Sequence, residues 1–181
     1  MNLTELFSRW RHTKGYGVHS PLAFRLVQHV VRPRRDVIYY GEERLDASSL
    51  PYREIRRARI LLRLVAELQP SYVWVSPDLP QIYADAIRLA GCVVRVYDGE
   101  LYPDDFSKAD MIVLNDFKPK KAEFRKMLAA GKSLIAFDVK PKVVEWASQL
   151  LKGGVLLEAG KSLIAVSTRD EAAHIYKISK F

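Results

Sequence analysis

Along residues 1–70 the apolar positions recur at three- and four-residue spacing, whereas from Tyr72 onward they come as short runs separated by turn residues. That pattern predicts helices first, then alternating strands and helices. A helix over 2–11, capped by Asn2 or Thr4, ends at the turn Lys14-Gly15-Tyr16-Gly17. Ser20 as N-cap and Pro21 as first helical residue open a second helix, and Leu22, Leu26, Val27 and Val30 carry it to about Val31, ahead of Pro33. A polar connector with Tyr39, Tyr40 and Gly41 leads to a long helix over 50–68. Its apolar stripe is Ile55, Ala58, Leu61, Leu62, Val65 and Leu68, and Arg53, Arg56, Arg57, Arg59 and Arg63 cover the remainder.

Strands are predicted at 72–76, 92–97, 110–114 and 133–138, with helices at 80–90, 119–130 and 141–151. Such alternation means a parallel sheet with crossovers. Two apolar runs across 153–168, joined by Ala159-Gly160-Lys161, signal a hairpin, so the sheet ends antiparallel. A last strand-like run covers 174–181. The expected fold is therefore α/β: a Rossmann-like three-layer α/β/α domain over 50–181 with a mainly parallel sheet and a C-terminal antiparallel hairpin, preceded by a helical cap over 1–49.

At 181 residues and 49% hydrophobic composition there is material for one real core. No run matches the roughly eighteen apolar residues of a membrane span, and residues 1–12 lack a signal-peptide core, so a cytoplasmic protein without a membrane partner is expected. The single Cys92 reads as a buried small hydrophobe in an apolar strand. The net charge of +8 is concentrated: residues 1–70 hold thirteen Lys/Arg, twelve of them Arg, against seven Asp/Glu. This segment is either a solvated arginine face or a surface for an anionic partner such as RNA or a phosphorylated substrate.

The stretch from Tyr72 to Asp98 has the form of a nucleotide-binding βαβ unit, yet its first turn is Ser76-Pro77-Asp78-Leu79-Pro80, without glycine. Proline fixes φ and removes an N–H, so this loop offers a ligand fewer backbone donors than a glycine turn. Asp98, directly after the second strand, is placed to accept both hydroxyls of a ribose or simply to end the strand in an Asp-Gly turn, and Glu100 shares that role. Asp116 and Asp138 fall at the carboxyl ends of parallel strands, where open α/β sheets bind ligands, but without nearby histidines a metal site is not expected. His19 is a general base or a turn-ordering residue. Tyr16, Tyr39 and Tyr40 line a pocket under the cap or bury its seam. Nothing in the sequence has the form of a serine nucleophile elbow, HExxH, CxxC or Walker motif.

Gly17-Val18-His19-Ser20-Pro21 followed by Phe24 resembles the opening of a Bacteroidetes branch of class I S-adenosylmethionine-dependent methyltransferases. Weaker similarities follow: 109–115 to that family's fourth strand, Ile135-Ala136-Phe137-Asp138 to its fifth, Trp146 to a usual tryptophan, and the tail 153–181 to its end. The resemblance implies a methyltransferase fold, S-adenosylmethionine as cofactor held near Ser76, Asp78, Asp98, Glu100 and Asn115, and an unidentified methyl acceptor. Two departures lie at the cofactor: the proline loop, and about a dozen residues between the second strand and 110, too few for a third strand with its crossover. Three functions remain open. They are an active methyltransferase, an inactive protein of that fold serving as a binding or regulatory module, and a weak basic nucleic-acid-binding protein. No catalytic residue is assigned.

Overall fold

The protein is described here by a computed structural model covering residues 3–33, 38–46, 49–91, 94–96, 108–130, 132–179 and 181. Four helical segments come first: α1 (Leu3–Thr13), α2 (Pro21–Arg25) running into a π-helical turn (Leu26–Val31), α3 (Glu42–Asp46) and α4 (Tyr52–Leu68). Then follow β1 (Val73–Val75), α5 (Gln81–Leu89), β2 (Val94–Val96), β3 (Met111–Asn115), α6 (Lys121–Ala130), β4 (Ser133–Phe137), α7 (Pro141–Leu150), β5 (Gly153–Ala159) and β6 (Ser162–Lys177). The short α3 has no counterpart in the sequence prediction. The π turn is equally unannounced; Leu26, Val27, Val30 and Val31 are all buried in it.

The six strands form one sheet in the order β2-β1-β3-β4-β6-β5. β1 pairs in parallel with β2 and β3, and β3 with β4, whereas β6 runs antiparallel to β4. Apolar side chains on both faces explain the continuous runs in β3 and β4, since a parallel strand is covered by helices on each side. One core joins Val73, Val75, Val113, Ile135 and Phe137 to α2, the π turn, α4 and α5; the other joins Trp74, Ile112, Leu114 and Ala136 to α6 and α7. The molecule is thus α/β with helices on both sheet faces, and the N-terminal helices share the core of one face. No helix among the described residues is long and apolar enough to cross a membrane.

The end of the sheet departs from a simple hairpin. Leu157 lies opposite both Ile164 and Tyr176, and Gly154 opposite both Ser167 and Ala173. The first set of partners descends as β5 ascends and the second ascends with it, so β6 bends round the start of β5 and β5 sits between its two halves. Gly153-Gly154 makes that crossing possible. A Cβ on Gly154 would lie 2.1 Å from the Val166 carbonyl oxygen and 2.8 Å from the Thr168 nitrogen, and the residue holds φ +102°.

The outer half of β6 receives the N-terminal cap. His19 and Ser20 donate their backbone N–H groups to the Tyr176 hydroxyl, each at 3.3 Å, and Ser20 Oγ donates to Glu171 Oε2 at 3.0 Å. Ser20 Oγ also accepts the Ala23 N–H as the N-cap of α2. Helix α1 docks alongside: Thr13 Oγ1 accepts from the Ser179 nitrogen at 2.9 Å, and the His12 ring meets the Tyr176 ring edge-on and the Lys177 carbonyl.

Substituting Gly154→Ala is expected to destabilise the protein by roughly 2–6 kcal/mol, combining a backbone clash with a left-handed φ on a residue that has a Cβ. Thermal melting read by circular dichroism checks this, and a melting temperature within a degree of the parent would mean that the crossing is drawn wrongly.

Candidate functional site

Five of the residues predicted from sequence lie at the carboxyl ends of β1, β3 and β4: Ser76, Asp78, Asn115, Asp116 and Asp138. Ser76, leaving β1, is fully buried; its N–H donates to the Val113 carbonyl at 2.9 Å and its hydroxyl accepts the Asn115 N–H at 3.1 Å. The Leu79 N–H returns to the Ser76 carbonyl at 3.1 Å, closing a turn around Pro77 and Asp78. Asn115 Nδ2 then donates to the Asp78 carbonyl at 3.4 Å. Ser76, Asp78 and Asn115 are thus joined to one another, the Ser76 hydroxyl by the Asn115 N–H and the Asp78 carbonyl by the Asn115 side chain. The loop is latched to the end of β3.

Immediately beyond β3 and β4, Asp116 and Asp138 both take left-handed backbone conformations, φ 45° and 54°. Aspartate tolerates that region better than most residues, and its use twice at one sheet edge turns both chains away sharply. Their environments then diverge. Asp116 is exposed, 3.9 Å from Lys118 Nζ. Asp138 is gripped by α4: Arg57 Nη1 donates to Oδ2 at 2.5 Å and Nη2 to Oδ1 at 3.1 Å, and Arg53 adds a further ion pair.

Arg57 is 5% exposed, and its remaining contacts are equally specific. Its Nη2 also donates to Ser162 Oγ at 3.2 Å, its guanidinium lies 4.9 Å from the Phe137 ring centroid, and it adjoins the Tyr83 hydroxyl of α5. Burial raises the Tyr83 hydroxyl above its ordinary range, with the arginine opposing. The Arg57 hydrogen bonds hold the Asp138 carboxyl below its ordinary value against the desolvation that would raise it. Sequence reading placed Arg57 among solvated residues. The signal that could have found it is its register, since Arg57 lies one and two turns before Leu61 and Leu64 on the buried side. Arg63 behaves likewise, bonding Glu42 at 2.5 Å and the Val30 carbonyl at 3.0 Å. Neither Arg57 nor Arg63 belongs to a solvated arginine face.

The other candidates lie elsewhere. His19 and Tyr16 are exposed on the cap turn, docked on the outer half of β6, five strand positions or about 24 Å from β1. Tyr39 is half-buried and donates to Glu67 at 2.8 Å, sealing the seam against α4, whereas Tyr40 is exposed. Asp98, Glu100 and Cys92, together with the segment expected to trim the sheet edge up to 107, lie outside the described residues. A cleft of about 590 Å³ opens beside α5, lined by Leu45, Leu50, Ile82 and Leu89 with Arg44 and Arg88 at its rim.

Replacing Asp138→Asn leaves a buried guanidinium without its counter-charge and is expected to cost about 2–3 kcal/mol, below the figure for a fully buried pair because the carboxylate is part exposed. The sign with pH follows from the lowered folded-state pKa. The contribution is complete above the ordinary carboxylate value of about 4 and is lost as pH falls through the folded value. Acid-unfolding curves of the two proteins should therefore converge below pH 4, and parallel curves would contradict the assignment. At the cap, Ser20→Ala is expected to cost about 1–2 kcal/mol through the lost N-cap and Glu171 bond, while His19→Ala stays within about 0.5 kcal/mol. Urea titrations distinguish the pair, and the reverse ranking would mean that the imidazole, not the main chain, docks the turn.

Comparison with family models, with curated proteins and with solved structures returns no match for this chain, so any functional reading rests on the sheet edge itself.

Proposed function

We propose that this protein is of the class I methyltransferase type and takes S-adenosylmethionine, weakly, at the carboxyl ends of β1 and β2. The observation that supports the reading is the strand order β2-β1-β3-β4-β6-β5, parallel through β4 and followed by an antiparallel β6, which among the described residues matches the layout of that class apart from its outer third strand. The residues fit the cofactor only in part. α5 starts after Pro80 without a side-chain cap, so its N-terminal end favours an anionic group; the cleft on its flank, lined by none of Ser76, Asp78 and Asn115, is a separate feature. Against this, the Ser76–Asn115 latch and two prolines take up groups that a glycine loop would present. Asp98 or Glu100 would hold the ribose. The cofactor supplies an electrophilic methyl group when bound; what this chain contributes to transfer is positioning alone.

The second reading, an inactive protein of this fold acting as a binding module, is favoured by Asp138. A carboxylate held by two arginines is neutralised, and both its oxygens are already engaged. A basic nucleic-acid-binding role is the weakest of the three, because two arginines of the cationic segment, Arg57 and Arg63, are buried in internal pairs.

Calorimetric titration with S-adenosylmethionine and with S-adenosylhomocysteine separates these readings. Two lost hydrogen bonds to charged groups, at about 1.5–3 kcal/mol each, predict affinity roughly a hundredfold or more below that of a glycine-loop site. Saturable weak binding that Asp98→Ala with Glu100→Ala abolishes is the expected result. Tight binding would disprove the latch argument, and no heat with either ligand would leave the binding-module reading.

A further inference from the structure

Helix α1 is mounted the wrong way round. Its polar side, Glu5, Arg9, His12 and Thr13, faces the protein, with Glu5 held by Arg9 at 2.7 Å and near Lys177 at 3.8 Å. Its apolar side faces outward: Leu3 is 81% exposed, Phe7 58%, Trp10 46% and Leu6 42%. A helix that buries polar groups and displays a leucine-aromatic stripe is displaying it to something.

We infer that this face seats on an anionic lipid surface, with α1 lying in the plane of the headgroups. Charge decides the class of occupant. Lys14 Nζ stands 4.0 Å from the Trp10 ring centroid and the Arg11 guanidinium 6.0 Å from that of Phe7, so the apolar stripe carries two cations. The only acid of the helix, Glu5, is on the docked side. Two copies meeting through this face would set Lys14 against Lys14, or Lys14 against the positive N-terminal end of the partner helix; neither arrangement offers a counter-charge. A nucleic acid would need free ring faces for stacking, yet Phe7 and Trp10 stack on each other at 5.8 Å and a cation stands by each ring. What remains to project outward is leucine side chains and ring edges beside two amphipathic cations, the composition of a helix at a bilayer interface. The protein's net charge of +8 acts in the same direction. Insertion is shallow and involves no span.

Co-sedimentation of the full chain with phosphatidylcholine vesicles, with and without phosphatidylglycerol, tests this. Binding is expected to the anionic vesicles and not to the neutral ones, with Trp10 emission shifting to the blue. The paired variant Leu3→Ser with Phe7→Ser should weaken binding about tenfold or more, and Arg11→Glu with Lys14→Glu about 30-fold or more. Melting temperatures should not fall, because none of these side chains touches the protein core. Absence of vesicle binding, equal binding to neutral vesicles, or full binding by the Leu3/Phe7 variant would each overturn the inference. So would a concentration-dependent dimer in analytical ultracentrifugation that the same variant disrupts, or single-stranded RNA binding that it abolishes.

Discussion

A guanidinium removed from water requires a matched set of partners, and Arg57 finds them on α5, β4, β6 and the turn after β4. A buried pair of this kind adds little net stability compared with well-packed apolar groups, because desolvation offsets most of the Coulomb gain. Its effect is on arrangement. Asp138, Phe137, Ser162 and Tyr83 accommodate Arg57 in one register of α4 only, and shifting α4 by a residue would strand the charge. The contact thus adds a polar constraint on α4 to the apolar packing of Ala58, Ile60, Leu61, Leu64 and Val65 against the sheet and α5.

The same constraint explains what could be read from the sequence. Apolar runs and turn residues were enough for β1 to β5, α5 to α7 and the stripe of α4, since these depend on local periodicity. The register of Arg57 on α4 marks it as facing inward but does not name its partner, because the residue that neutralises it is 81 positions away. The bend of β6 round β5 was hidden for a related reason. Gly153-Gly154 looks like an ordinary strand start until another strand's carbonyl is found where a Cβ would be. At the candidate site, Ser76, Asp78 and Asn115 were picked out by their place after parallel strands, and they do meet. Their orientation toward one another depends on the loop closing on β3, which no spacing rule predicts.

The sheet edge presents two kinds of preorganisation that act against ligand access. One is the latch between Ser76 and Asn115, which satisfies the loop internally; the other is the neutralisation of Asp138. Both are made from residues that a nucleotide-binding sheet normally turns toward its ligand. Asp116, by contrast, stays exposed beside Lys118 and is drawn into neither arrangement.

Because the outer half of β6 bends back past β5, the surface that holds the first helices is made from residues more than 150 positions downstream. Thr13 bonds Ser179, and the turn at Ser20 bonds Tyr176, across sequence separations of 166 and 156 residues. A nascent chain therefore carries α1 and its exposed leucine-aromatic stripe undocked until that segment has been made. Docking waits for residues 172–179 to leave the ribosome, which makes it a late, high-contact-order step during which a chaperone can reach the N-terminal segment.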